Sequence, residues 1–234
     1  VDLFTVETKS YYEELKKTSV FKNRIEYLPN GVSLLDIDLT ELDTLPKENI
    51  VVTVGRLGTY EKNNSLLLNA IRNLPIELVK KWEFLLIGPS TQEFSKEVAL
   101  FKEKNSAIAN CINMTGEINN RNTLYSYLRR AKIICMTSLS ESTCISTLEG
   151  MYFGTYPVIT NYSDFTLDTT NNNKVGCIVE NKNINALVSS LKHIMSDDNL
   201  YCKGLESQFY VRSVFDYGVL TKSLDSILRR YIKG

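Results

Sequence analysis

The stretch from Lys132 to Asn161 reads "KIICMTSLSESTCISTLEGMYFGTYPVITN". It starts with a short apolar run, Ile133 to Met136, of strand length. A loop rich in hydroxyls follows and carries Glu141. Then Ile145, Leu148, Met151 and Tyr152 recur at helical spacing, which predicts a helix from about Thr143 with an inward face formed by those four. Gly154 suits the position just past a helix end, where glycine adopts a left-handed backbone at little cost. "YPVITN" is a second apolar, β-branched run. A strand, a helix and a strand joined this way form a crossover between parallel neighbours.

The same alternation extends outward in both directions. "IVVTV" (Ile50 to Val54), "WEFLLIG" (Trp82 to Gly88), "CINMTG" (Cys111 to Gly116) and "GCIVE" (Gly176 to Glu180) read as strands, several of them ending in glycine. "SLLLNAIRNL", "TQEFSKEVALFKEKN", "NRNTLYSYLRRA" and "NINALVSSLKHIM" read as helices by period. Repetition of this unit predicts an α/β chain with a parallel sheet covered by helices on both faces. The flanks differ. Residues 1–32 hold one more strand–helix–strand unit, "VDLFTV", "KSYYEELKKT" and "RIEYLP", and residues 33–49 are acidic and turn-rich, as in a hinge. Residues 50–204 are the main domain. Residues 205–234 close the chain with a long helix whose face is expected at Leu220, Leu224, Ile227, Leu228 and Tyr231.

Composition narrows the function. The 234 residues carry 27 basic and 27 acidic side chains, and a net charge of zero argues against a nucleic-acid partner. No apolar window is long enough for a transmembrane helix, and "VDLFTVETKS" lacks the pattern of a signal peptide. The chain does not begin with Met and is read as a piece of something longer or a processed chain. Five widely spaced cysteines without a CxxC pair disfavour a disulfide framework or a zinc site and suit a cytoplasmic compartment.

In an open parallel sheet, ligands bind beyond the carboxyl ends of the strands. Four segments should converge there: "GRLGTYEKNN", "GPSTQE", "TGEINN" and "TSLSEST". Arg56 and Lys62 in the first are placed to neutralise a phosphate or diphosphate; the alternative is a pair of solvated surface charges. Glu141 lies in the loop before a helix start, where free N–H groups favour an anion. Glu149 lies four residues after Ile145, near the same helix face. Both acids suit the binding of sugar or ribose hydroxyls. The alternative makes Glu141 an exposed loop acid and Glu149 the partner of a core-edge cation, and periodicity leaves both readings open.

The ordered set "VGRLGTYEKN", "LLIG", "MTGEI", "LSESTCISTLEGMYFGTYPVITNYSDF" and "VGCIVE" resembles the retaining glycosyltransferases of family 4. The likeness is to their C-terminal, donor-binding domain, a Rossmann-like half of the GT-B fold, and covers roughly Ile50 to Met195. "RIEYLPNGV" resembles the end of their N-terminal domain. The resemblance implies a transferase that moves a sugar from a UDP- or GDP-linked donor, with retention, to a glycan or glycolipid acceptor, as in polysaccharide biosynthesis. Arg56 and Lys62 would contact the donor diphosphate, Glu141 the donor sugar, and Glu149 the ribose. Backbone groups of Thr143, Cys144 and Ile145 would meet phosphate or sugar. Gly55 and Gly88 would form turns at the site, and Gly116, Glu117 and Ile118 would hold the base. No metal or other cofactor is expected. Most of the acceptor site would belong to an N-terminal half, so this chain is expected to be inactive alone, with peripheral membrane contact made by the full-length protein. Two departures leave the donor open: Ser142-Thr143 stands where the family often has glycine, and Asn63 follows Lys62 where glycine is frequent.

Other signals are weaker. Asp36-Ile37-Asp38 matches a metal-binding DxD pattern, without companion ligands. His193, the single histidine, reads as a surface residue near a helix C-terminus. "GRLGTY" is not a dinucleotide fingerprint. Two other readings remain: a non-catalytic nucleotide-sugar-binding module, and a flavodoxin-like partner-binding domain in which Arg56 and Lys62 diverge from the Glu141 loop.

Overall fold

β1 (Phe4–Val6), α1 (Lys9–Leu15) and β2 (Ile25–Tyr27) open the structure, a computed structural model that describes residues 3–21, 24–33 and 45–232. The two strands pair in parallel, Phe4 with Ile25 and Val6 with Tyr27. This is the strand–helix–strand unit expected from the first residues. Asp36, Ile37 and Asp38, and most of the expected hinge, lie outside the described residues.

The main sheet contains β3 (Glu48–Val54), β4 (Glu83–Ile87), β5 (Ile112–Gly116), β6 (Ala131–Met136), β7 (Tyr156–Thr160) and β8 (Cys177–Val179). All neighbours are parallel, in the order β5-β4-β3-β6-β7-β8. The chain first builds outward from β3 to β5, then returns to lay β6 on the other side of β3. That reversal leaves a crevice between the loops after β3 and β6, the place where open α/β sheets bind ligands.

Alternation along the strands divides the core into two layers. Val51, Phe84, Leu86, Ile133 and Cys135 face one layer with α2 (Asn64–Asn73), the short α3 (Ile76–Val79), α4 (Gln92–Lys104) and α8 (Ile184–Met195). Ile50, Val52, Leu85, Ile87, Ile134 and Met136 face the other, with α5 (Arg121–Arg130), α6 (Ile145–Tyr152), α7 (Phe165–Thr169) and α9 (Leu200–Val214). Burial on both faces is why the strands read as continuous apolar runs. Thr91, Asn120 and Asn183 accept backbone hydrogen bonds from Phe94, Thr123 and Ala186, so each caps the helix it precedes.

Several expectations need correction. β3 begins at Glu48 rather than Ile50, and Glu48 is gripped by the Arg130 fork at 2.7 and 2.8 Å. Ile145 is not on the inward face of α6: it is 38 % exposed, while Leu148 and Met151 are fully buried. The last helix, α10 (Tyr217–Ile232), buries Leu220 and Ile227 but leaves Leu228 40 % exposed. α9 had no clear sequence signature. Its inward positions are Leu200, Gly204, Ser207 and Val211, two of them too small or polar to register as an apolar stripe. Gly204 is needed because a Cβ there would lie 2.4 Å from the Gly154 carbonyl oxygen. Ser207 Oγ donates to the Val175 carbonyl at 2.7 Å.

The N-terminal unit docks on α7 and on the residues between and within α9 and α10. The Lys9 N–H donates to Asp168 Oδ2 (2.9 Å) and Ser10 Oγ to Asp164 Oδ2 (2.7 Å). Val32 N–H donates to Phe215 O (2.8 Å), and Tyr217 N–H returns to Val32 O (3.0 Å). Arg230 on α10 reaches Glu26 on β2 at 3.0 Å.

Candidate active site

Three adjacent strands end in glycine at the same edge of the sheet. Gly55 follows β3, Gly88 follows β4, and Gly116 ends β5. Gly55 N–H donates to Ile87 O (3.0 Å) and Gly88 N–H to Gly116 O (2.9 Å), so the three turns are laced side by side. A Cβ on Gly116 would touch nothing within 4 Å, which leaves that turn open to a ligand. Beside it Glu117 is exposed and Ile118 half-buried against the second core layer.

The loop after β3 is tied to its neighbours along its length. Leu57 N–H donates to Pro89 O at 2.7 Å, and Gly58 N–H to the side chain of buried Asn64 at 2.8 Å. Leu139 N–H, from the loop after β6, donates to Glu61 O at 2.7 Å. Thr137 Oγ1 donates to the carbonyls of Lys62 and Asn63 (3.2 and 3.0 Å). These bonds span the crevice and fix Lys62 opposite the Glu141 loop.

Lys62 Nζ meets Glu141 Oε1 at 2.5 Å, with each side chain only 15 % exposed. Ser138 Oγ donates to the same carboxylate oxygen at 2.6 Å. Both contacts fall on Oε1. Glu141 Oε2 makes none among the described residues, and a carboxylate oxygen has lone pairs to spare for hydroxyl donors. Lys62 uses one of its three N–H donors here. Arg56, on the same loop, is exposed and makes no hydrogen bond or ion pair among the described residues.

Glu149 lies one and a half turns into α6 and is half-buried. The Tyr125 hydroxyl donates to Glu149 Oε1 at 2.9 Å, and Arg121 Nη1 donates to that hydroxyl at 3.1 Å. Burial holds the Glu149 carboxyl above its ordinary value, while the Tyr125 hydrogen bond and the Arg121 charge pull the other way. Burial first, then the Glu149 charge, push the fully buried Tyr125 phenol up to about 12, so it donates throughout the physiological range. Tyr125→Phe removes a group that favours the carboxylate form. Loss of any ligand that needs an ionised Glu149 should then begin at a higher pH in the variant than in the parent, read from binding isotherms across acidic pH.

At the start of α6, Cys144 is buried and caps the helix without a side-chain hydrogen bond to its backbone. Burial and the Glu141 charge raise its thiol, which keeps it protonated and unreactive. Thr143 Oγ1 donates to Glu7 Oε2 at 3.0 Å, and Ile145 N–H donates to Thr143 O at 2.9 Å. The N–H groups of Thr143 and Cys144 have no partner among the described residues.

The structure therefore joins Lys62 with Glu141 directly, aligns Gly55, Gly88 and Gly116, and puts the Thr143–Ile145 turn on the same side of the sheet. It adds Tyr125, Arg121, Ser138 and Glu7, none of which the sequence reading named. Arg121 and Tyr125 are four apart on an expected helix, a visible signal for a shared face. Glu7 carries no such signal. The groups of His, Cys, Asp and Glu needed to hold a metal ion are absent among the described residues. A hollow of about 720 Å³ around His193, Ser196 and Asp197 lies near the opposite edge of the sheet, away from these residues.

Residues 39–206 match the family described as "Glycosyl transferases group 1". A Campylobacter jejuni protein, the GalNAc-alpha-(1->4)-GalNAc-alpha-(1->3)-diNAcBac-PP-undecaprenol alpha-1,4-N-acetyl-D-galactosaminyltransferase, is 27% identical over 191 residues. That match covers 82% of this chain and 49% of the relative, so the chain spans about half the length of the curated relative it matches. Among solved structures, a glycosyltransferase from Rickettsia africae superposes with a TM-score of 0.72 at 18% identity, over 100% of this chain and 64% of its own. Anabaena HepE in complex with UDP and glucose gives 0.73 at 14% identity, over 98% and 64%. Both share the fold.

Proposed function

The chain belongs to the group 1 glycosyl transferases, and from that premise we propose that it is the donor-binding half of a transferase acting on a nucleoside-diphosphate sugar. Residues 50–204 would form the donor domain and residues 1–32 the end of an acceptor domain, with 33–49 as hinge and 205–234 as closing segment. The acceptor would be a lipid-linked glycan, the class printed in the name of the Campylobacter relative.

The Lys62–Glu141 contact across the crevice carries this reading. It sets a cation and a carboxylate side by side where a sugar diphosphate has its own junction of negative phosphate and neutral hydroxyls. Lys62, with donors to spare, and the exposed Arg56 bind the diphosphate and offset the charge that grows on the leaving group. Glu141 Oε2 accepts from hydroxyls of the sugar. Glu149, held by Tyr125, accepts from the ribose hydroxyls with its other oxygen. The N–H groups of Thr143 and Cys144 face phosphate or sugar, and that of Ile145 joins them if its turn opens. The backbone of Gly116, Glu117 and Ile118 holds the base. The bond from the anomeric carbon to the diphosphate breaks, the acceptor oxygen bonds to the same face, and the acceptor proton passes to a phosphate oxygen. No metal enters this scheme. The Lys62–Glu141 contact also speaks against a partner-binding domain in which the two loops diverge.

Calorimetric titration of this chain with UDP, GDP and their sugar conjugates tests the proposal. One nucleotide series should bind, and Glu149→Ala should weaken it about tenfold or more, the loss of hydrogen bonds to a charged group. Absence of binding by either series, or a Glu149→Ala variant with parental affinity, would remove the reading.

A further inference from the structure

α9 is buried along one side, and its other side carries an apolar row. Tyr201, Leu205 and Phe209 follow one another at four-residue steps, a spacing that stacks side chains on one helix face. They are 51 %, 43 % and 76 % exposed. Single exposed apolar side chains are ordinary, but a contiguous row of large ones marks a surface that meets a partner. The row cannot roll inward. Gly204 is pressed against the Gly154 carbonyl, Ser207 is bonded to Val175 O, and Gln208 Nε2 donates to Tyr152 O at 2.9 Å. These contacts fix the rotation of the helix.

The charges at the ends of the row say what covers it. Asp198 lies seven residues before Leu205 and Arg212 seven after it. Seven residues make almost two turns, so both lie at the ends of the same row. Asp198 is exposed and has no ion pair or hydrogen bond among the described residues; the nearby Lys203 is taken by Asp197. Arg212 gives its Nε to the Tyr152 carbonyl (3.2 Å) and lies over the Tyr152 ring, 4.6 Å from the centroid. Its two terminal nitrogens make no hydrogen bond or ion pair among the described residues.

We infer that this face of α9 is the seat of a symmetric dimer, in which the helix packs antiparallel on the same helix of a second copy about a twofold axis at Leu205. Such an axis brings Leu205 to Leu205 and Tyr201 to Phe209 of the second copy. It also sets Asp198 against Arg212 at both ends. An acid and a base equally far from the centre of an apolar row make the surface complementary to itself, as an isologous interface requires. A parallel arrangement would oppose Asp198 to Asp198 and Arg212 to Arg212, and like charges repel. A membrane surface would be met by cations around the row, whereas Asp198 and Glu206 border it. One helix pair buries less than the about 1,200 Å² usual for stable complexes, so the dimer forms and parts with concentration.

The test is analytical sedimentation of the chain, from dilute solution to about 1 mM, the weak end of specific binding. The mass should rise to that of two copies. Phe209→Glu, at an exposed position, should raise the dissociation constant about thirtyfold or more, the loss of an interface hot spot. Asp198→Arg faces a base with a base at both ends and should weaken the dimer about tenfold, and Arg212→Glu should do the same with acids. Mixing these two single variants should restore the association, because only the mixed pair sets acid against base at both ends. Melting curves check that both are folded. Should Arg212→Glu lose its fold with its Tyr152 contacts, the exposed Asp198→Arg decides alone. A chain that stays monomeric throughout overturns the inference, as does a dimer indifferent to Phe209→Glu or to Asp198→Arg. No recovery on mixing two folded variants overturns it as well. So does a monomer that sediments with anionic phospholipid vesicles through Phe209, which would give the face to a lipid surface.

Discussion

Lys62→Ala is expected to weaken binding of the nucleoside diphosphate about 10- to 100-fold and to lower the thermal midpoint at the same time. The first effect is the loss of a charge-assisted contact to phosphate, about 1.5–3 kcal/mol. The second follows from what remains. Glu141 is 15 % exposed and would keep only Ser138 as a partner, leaving a half-desolvated charge in the crevice. Breaking a pair of this kind costs on the order of 2–3 kcal/mol, short of the value for full burial because water still reaches both groups. For a chain of this size that corresponds to a drop of roughly 5–10 °C. Glu141→Gln separates the two effects. It removes the carboxylate but leaves Lys62 in place, so UDP alone should bind nearly as before while the sugar conjugate loses affinity. Calorimetry with UDP and with UDP-sugar, paired with melting curves, reads both. Parental UDP affinity in Lys62→Ala, in a folded variant, would show that Lys62 serves only to hold Glu141.

The largest loss of stability is expected from Gly88→Ala. The added Cβ would lie 2.0 Å from the Gly55 carbonyl oxygen and 2.9 Å from its carbon, with the backbone at φ +133°. Neither side can step away cheaply. Gly55 is held by Ile87 O through its N–H, and Gly88 by Gly116 O, so relief on one side lengthens a bond on the other. The clash, the strained backbone and the disturbed bonds together cost about 3–5 kcal/mol, the range of the severe single-site defects. The thermal midpoint should fall by roughly 10 °C or more. A fall below about 2 °C would mean that the glycine turns can shift apart without harm.

The same features show which parts of the molecule can be read from sequence. β3, β4, β6 and β7 were legible because each is covered on both faces, which forces unbroken apolar runs such as Ile50 to Val54 and Ile133 to Met136. α9 was not, because Gly204 and Ser207 face inward where close approach to Gly154 and a bond to Val175 count for more than apolar area. Ile145 misled the helix reading: it lies in the first turn of α6, at the crevice, beyond the reach of the core. Within the candidate site, the loops that hold Arg56, Lys62 and Glu141 were placed by the strand ends alone. The pairing of Lys62 with Glu141 was not, since it depends on β3 and β6 being neighbours. Tyr125 reaches Glu149 only because α5 and α6 lie side by side on one face of the sheet, a fact of tertiary packing.

The docking of the N-terminal unit also bears on how the chain is made. Lys9 finds Asp168 across 159 residues, Ser10 finds Asp164 across 154, and Glu26 meets Arg230 across 204. At synthesis rates of about 5–20 residues per second, β1, α1 and β2 are made roughly 7–30 s before the first of these partners exists. Loop-closure entropy makes such distant contacts late ones in folding as well. The unit built from β1, α1 and β2 is thus made before its partners on the main domain and secured only after them.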